Sequence, residues 1–132
     1  MKRSWQYSRI GKTYGFSAAH HLPKVENGHP CKRVHGHNYK IDVEVRGDTM
    51  PNGFCLGMDF YRLDKYVKPL IDELDHQNLN DFIENPTAEN IAQWFIDKLS
   101  PTCVYSVKVW ETDKCWAEAV NPEGLYHAVH KE

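Results

Sequence analysis

The stretch from His35 to Arg46, HGHNYKIDVEVR, restricts the fold more than any other segment. Tyr39, Ile41, Val43 and Val45 alternate with Lys40, Asp42 and Glu44. Successive side chains of a strand point to opposite faces, so this period of two predicts a strand with one buried face and one wet face. A second run, TYGFSAAH from Thr13 to His20, places Tyr14, Phe16, Ala18 and His20 on one side in the same way. Between them LPKVENGHPCKR carries two prolines and a glycine and reads as a loop.

Later segments change period. DFYRLDKYVKPLIDELDHQNL spaces Phe60, Leu63, Val67, Leu70, Ile71 and Leu74 by three and four residues, which predicts an amphipathic helix bent or interrupted near Pro69. NPTAENIAQWFIDKL opens on Pro86 and Thr87 and repeats Ile91, Trp94, Phe95 and Leu99 on one side, a second helix. CVYSVKVWE is β-branched and aromatic and reads as a strand, with CWAEAV as its hairpin partner. A further hairpin is expected where PNG turns the chain into FCLGMDF. The order is strand, strand, strand, helix, helix, strand, strand, and it predicts an α+β domain with an antiparallel sheet and two helices on one face.

With 132 residues, one domain spanning 1–132 is expected, large enough to fold without disulfides or a structural metal. A net charge of -2 gives no reason to expect nucleic acid as a partner. No run approaches the roughly 20 apolar residues of a membrane span, and the basic N-terminus lacks the apolar stretch of a signal peptide. The four cysteines show no CxxC pairing and read as free thiols of a cytoplasmic protein.

His35 and His37 lie two apart on a strand and so face the same side, with Gly36 leaving the opposite face bare. A bare HxH is more often a pair of exposed strand histidines. A catalytic zinc wants three protein ligands and an open position, and the third candidate is His20 or His21. Strand parity groups His20 with Phe16 and Ala18 and sends His21 to the other face, so the expected set is His20, His35 and His37, holding zinc. His29, His127 and His130 read as loop or tail histidines.

Cys31 lies in the loop before His35, beside Lys32 and Arg33. Those cations and a nearby metal would favour its thiolate, which could act as base, nucleophile or fourth ligand. A small buried hydrophobe is the alternative, and it is the expectation for Cys55, Cys103 and Cys115. Asp75 and His76 could form a proton-transfer pair, but neighbours on a helix point about 100° apart. A helix end dressed with polar residues is the stronger reading there. Glu111, at the end of VKVWETD, is either a solvated strand end or a grip for adjacent N–H donors of a heterocycle.

In order along the chain, FSAAHHLP, CKRVHGHNY, LDHQNLND, ENPTAEN and VWETD resemble the signature segments of the 6-pyruvoyltetrahydropterin synthase and 6-carboxytetrahydropterin synthase group. The resemblance runs from about Tyr14 to Glu111. It implies a tunnelling fold, a four-stranded antiparallel sheet with two helices on one face, whose sheets join into a barrel in a trimer or a dimer of trimers. It implies His20, His35 and His37 as zinc ligands, Cys31 as the catalytic cysteine and Asp75–His76 as the proton-transfer pair. Glu111 would anchor the pterin ring, and Thr87 falls in the segment that lines the pterin pocket from a neighbouring subunit.

The substrate implied is 7,8-dihydroneopterin triphosphate, with Lys24, Lys32, Arg33 and Arg9 as candidates for the triphosphate. The short KRV link between Cys31 and His35 resembles the bacterial 6-carboxytetrahydropterin synthases, which implies carbon–carbon cleavage with release of acetaldehyde and triphosphate on the way to 7-deazaguanine and queuosine. His21 departs from the group, where arginine is frequent. Triphosphate elimination alone, cleavage of a related dihydroneopterin, and a zinc-stabilised binding module without catalysis are the alternatives.

Overall fold

The computed structural model describes residues 6–121. It contains β1 (Tyr7–His20), β2 (His35–Asp48), α1 (Phe60–Leu74), α2 (Ala88–Leu99), β3 (Ser106–Trp110) and β4 (Trp116–Val120), with short 3-10 turns at Pro30–Lys32 and Leu79–Asp81. The strands form one antiparallel sheet in the order β1-β2-β3-β4. Tyr14, Phe16, Ala18, Tyr39, Ile41, Val43, Val107 and Val109 are buried on one face. Leu63, Val67 and Ile71 of α1 and Ile91, Phe95 and Leu99 of α2 complete that core. Both helices start on side-chain caps: Asp59 accepts from the Arg62 N–H and Thr87 from the Asn90 N–H.

The opposite face is polar. Arg9 and Arg46 both bind Glu44, and Asp42 accepts from Thr13 and from the Trp110 indole. Charges on this face alternate with the core residues, which is the pattern that identified β2 in the sequence.

Three sequence expectations change. β1 begins at Tyr7, not Thr13, because Tyr7 to Thr13 pair in register with Asp48 to Asp42 of the long β2. Lys12 conceals this, because it takes the place between Ile10 and Tyr14 on the core-facing side, where its ammonium binds Asp64. FCLGMDF is not a strand. It keeps a single bridge, Thr49 to Cys55, and then Leu56 (φ 51) and Gly57 (φ 75) turn left-handed, a conformation that ends a strand. The PNG turn itself forms, with Gly53 donating to the Met50 carbonyl at 2.8 Å. Finally, α1 runs without interruption through Pro69. Pro69 lies on the exposed side, where water can satisfy the carbonyl that loses its partner.

One polar contact ties α1 to β1. The Asp64 carboxylate accepts from Lys12 Nζ at 2.8 Å and from the Tyr14 hydroxyl at 2.7 Å. The hydrogen bond from Lys12, then that from Tyr14, holds the Asp64 carboxyl below its ordinary 3.8. A depressed carboxyl adds stability in full above its unfolded value and loses it as pH falls through the folded one. Asp64→Asn should therefore lower the urea midpoint at pH 7, and the gap to wild type should close as the pH falls past the ordinary carboxyl value and through the lowered folded one. A gap that persists undiminished in acid would show that the ionised carboxylate is not its source.

Candidate metal and proton-transfer site

β1 ends where β2 begins, so register places His20 opposite His35 and Ala18 opposite His37. The three imidazoles meet at this end of the sheet, with ring centroids 4.6, 5.0 and 4.9 Å apart. Their ligand atoms all lie within 4.8 Å of one another. His20, not His21, belongs to the group, as parity predicts. The His21 backbone instead exchanges two hydrogen bonds with the Asn80 side chain, each 2.9 Å.

Hydrogen bonds fix two of the tautomers. His20 Nδ1 faces the Pro86 carbonyl at 2.8 Å and His35 Nδ1 faces the Arg33 carbonyl at 2.7 Å. A carbonyl only accepts, so each Nδ1 carries the proton and each Nε2 presents a lone pair. Those two Nε2 atoms are 3.0 Å apart. Two lone pairs at that distance repel, and a cation between them converts the repulsion into ligation. The donor set thus fits a metal ion. Burial is the main influence keeping His20 and His37 harder to protonate than usual, and the neighbouring imidazoles add to it against the pull of Glu111 and, for His20, of the Pro86 carbonyl. Neutral imidazole is the form a metal requires.

Glu111 follows β3 directly, and its N–H donates to the Cys115 carbonyl to close the hairpin. Its Oε2 lies 4.0 Å from His20 Nε2. Continuing the β2–β3 register one step past Lys40 and Trp110 sets Glu111 across from Tyr39. Tyr39 packs edge-on against His20 and His37 and stacks on Phe16. Its buried hydroxyl has no hydrogen-bond partner among the described residues. Burial first, then the Glu111 carboxylate, pushes the phenol's pKa up.

Asp75 and His76 do form a pair: Asp75 Oδ2 is 2.9 Å from His76 Nδ1. The helical spacing of about 100° does not apply, because α1 ends at Leu74, Asp75 is extended and His76 is left-handed at φ 61. Two backbone contacts maintain this turn. The Ser17 N–H donates to Asp75 Oδ1 at 2.9 Å, and the His76 N–H donates to the Ser17 carbonyl at 2.6 Å. The Ser17 N–H and then His76 hold the Asp75 carboxyl below its usual range. His76 borders a cleft that it shares with Ser17, Gly36, His37, Asn38 and Gln77. One opening is therefore bordered both by His76 of the pair and by His37 of the cluster.

Cys31 sits half-buried in the turn Pro30–Lys32. It lies outside the three-histidine group, and its carbonyl accepts from Leu22, two residues past His20. The Lys32 ammonium is engaged by the Val25 carbonyl and Asn27 Oδ1, each at 3.0 Å. Thr87 caps α2 immediately after Pro86, whose carbonyl holds His20. Of the other cysteines, Cys55 is buried as expected, whereas Cys103 is only partly buried and Cys115 is exposed on the hairpin. His29 is a loop residue but has company: its Nδ1 accepts from the Cys31 N–H. The His-x-Cys spacing ahead of a short turn is the signal that could have identified it. His127 and His130 lie outside the described residues.

A profile of the 6-pyruvoyl tetrahydropterin synthase family matches residues 9–122. An Archaeoglobus fulgidus protein, provisionally named a 6-carboxy-5,6,7,8-tetrahydropterin synthase, is 41% identical over 112 residues, 83% of this chain and 92% of its own. The 6-carboxy-5,6,7,8-tetrahydropterin synthase of Synechocystis is 38% identical over 86% of this chain and 93% of its own. The dihydroneopterin monophosphate aldolase of Pyrococcus furiosus is 35% identical over 84% and 96%. The structure of Caenorhabditis elegans 6-pyruvoyl tetrahydropterin synthase superposes with a TM-score of 0.78 at 28% identity, covering 88% of this chain and 96% of that one. The sheet order, the two helices on one face and the breadth of these matches lead to one conclusion: the chain is a tunnelling-fold member of the 6-pyruvoyl tetrahydropterin synthase family.

Proposed function

We propose that the chain, as one domain over 1–132, is a zinc-dependent carbon–carbon lyase. With water it would convert 7,8-dihydroneopterin triphosphate to 6-carboxy-5,6,7,8-tetrahydropterin, acetaldehyde and triphosphate, a step towards 7-deazaguanine and queuosine. The observation that carries this reading is the convergence of His20 and His35 as lone-pair donors 3.0 Å apart, with Glu111 and the cleft of the Asp75–His76 pair beside them. His20, His35 and His37 would hold the zinc. When bound, zinc supplies Lewis-acid polarisation of substrate hydroxyls.

The other roles belong to the chain's own groups. Glu111 is an acceptor for two adjacent N–H donors of the pterin ring, and a carboxylate is the side chain suited to such a fork. Cys31 takes and returns the substrate proton, and His76, oriented through Nδ1 by Asp75, moves protons at the cleft mouth. Thr87 lines the pocket of a neighbouring subunit in a homo-oligomer, a trimer or a dimer of trimers. Lys24, Lys32, Arg33 and Arg9 remain the cations for the triphosphate. Among these, Lys32 and Arg9 already serve partners in this chain and would have to exchange them. No helix among the described residues is long and apolar enough to cross a membrane, and the proposed setting is the cytoplasm.

The Pyrococcus furiosus relative named an aldolase supports a second reading, retro-aldol cleavage of a dihydroneopterin phosphate. Mass spectrometry of the products from zinc-loaded protein separates the two. A carboxy-pterin with acetaldehyde is expected from the triphosphate substrate. A hydroxymethyl-pterin would favour the aldolase, and a pyruvoyl product without acetaldehyde would favour triphosphate elimination. No turnover of any dihydroneopterin phosphate would leave a folded binding module.

A further inference from the structure

We infer that His29 is the positioning residue of Cys31, and that its imidazole acts as a hydrogen-bond acceptor which fixes the peptide carrying the thiol. The inference rests on the reading of Cys31 as the group that moves the substrate proton. Its geometric basis is independent of that reading.

The turn Pro30–Lys32 is only three residues long, too short to hold itself by its own ladder. At the start of such a turn the N–H groups lack partners. Pro30 has none to satisfy, so Cys31 carries the first exposed donor. His29 Nδ1 accepts it at 3.0 Å, while the His29 carbonyl takes the Lys32 N–H at 3.1 Å and its own N–H reaches the Glu26 carbonyl at 3.1 Å. The Lys32 ammonium ties the far end of the turn to the Val25 carbonyl and Asn27 Oδ1, but neither contact holds the Cys31 peptide. Lys24, Glu26, Asn27 and Gly28 are exposed, and Gly28 is left-handed at φ 87.

The Cys31 peptide is therefore tied on both sides. Its carbonyl accepts from the Leu22 N–H at 2.8 Å, which fixes its distance along the chain from the end of β1 and His20. Its N–H is held by His29. The Leu22 contact is backbone to backbone and would survive most substitutions. The His29 contact depends on one side chain. Because Nδ1 accepts, the ring proton sits on Nε2, and the imidazole works here as a neutral cap rather than as an acid or a metal ligand.

Proton transfer requires the acceptor atom within hydrogen-bond reach of its target, and small displacements of a reacting group are costly. The test compares His29→Ala, His29→Asn and Cys31→Ala in the full-length, zinc-loaded protein. Asparagine offers an acceptor oxygen and is a preferred cap. His29→Ala should lower kcat about tenfold or more with KM little changed, and His29→Asn should recover most of the loss. A second readout needs no turnover. Alkylation of the Cys31 peptide, followed by mass spectrometry, should quicken about tenfold in His29→Ala as the turn opens and return towards the wild-type rate in His29→Asn. Wild-type kcat and alkylation in His29→Ala would overturn the inference. So would equal defects in both His29 variants, since the acceptor would then be irrelevant. Full activity in Cys31→Ala would instead overturn the role of the thiol, and the alkylation series would still report whether His29 holds the turn.

Discussion

His37→Ala should bind zinc at least about 100-fold more weakly than wild type and lose turnover in proportion, while the apo protein unfolds at nearly the same temperature. Removing a group that merely orients a ligand costs about 10–100-fold in metal affinity, so removing a ligand costs more. Two nitrogens, His20 and His35, would remain of three. The fold should not notice. His37 is only partly buried at the sheet end, whereas Ile41, Val43, Leu63, Ile91, Phe95 and Val107 form the core away from it. Equilibrium dialysis with metal analysis and calorimetry on stripped protein measure the two halves separately. Tight zinc binding by His37→Ala would move the metal elsewhere. Unfolding of wild type on chelation would make the metal structural and favour the binding module.

His20→Ala makes the contrast. His20 is 1% exposed, and its Nδ1 ties the end of β1 to Pro86 at the entry to α2. Its loss removes a ligand, opens a cavity and leaves a buried carbonyl without its partner, so it should cost stability as well, about 2–4 kcal/mol. His37 is the cleaner probe of the metal for that reason.

What could be read in advance depended on whether a feature is local. The faces of β2 and the choice of His20 follow from a period of two that any strand imposes. The meeting of His20 with His35 needs register across the intervening loop, which no local pattern carries. FCLGMDF looks like a strand by its apolar residues, yet Leu56 adopts a left-handed backbone that side-chain chemistry does not announce. Helical spacing gives no reason to assume that Asp75 and His76 touch, and their contact arises because the helix stops at Leu74, after which the extended Asp75 and the left-handed His76 set which way both side chains point. Glu111 was undecidable for a related reason: only the pairing of β3 with β2 brings it beside Tyr39 and the histidines. The resemblance supplied those partners, but the reason they meet lies in long-range pairing.

Cys31→Ala should reduce kcat by about 10²–10⁴-fold and leave KM for the pterin triphosphate near its wild-type value. The two parameters separate because the groups proposed to bind substrate, the three histidines and Glu111, lie on the strands or directly after β3, whereas Cys31 is in the loop before β2. Its side chain is half-buried and outside the core, so truncation to alanine removes the thiol without opening a core cavity. Asp75→Ala would be harder to interpret, since Asp75 Oδ1 also holds the Ser17 N–H and supports the left-handed turn at His76. Cys31→Ser refines the test. A hydroxyl is a far weaker acid than a thiol, and a serine variant that stays as slow as alanine would indicate that thiolate basicity, rather than a polar atom at that place, is what the reaction uses. Steady-state kinetics with zinc content measured in parallel decides the matter. A Cys31→Ala protein with full zinc and full turnover would assign proton transfer to the Asp75–His76 pair alone. A variant that loses zinc as well as activity would make Cys31 a fourth ligand.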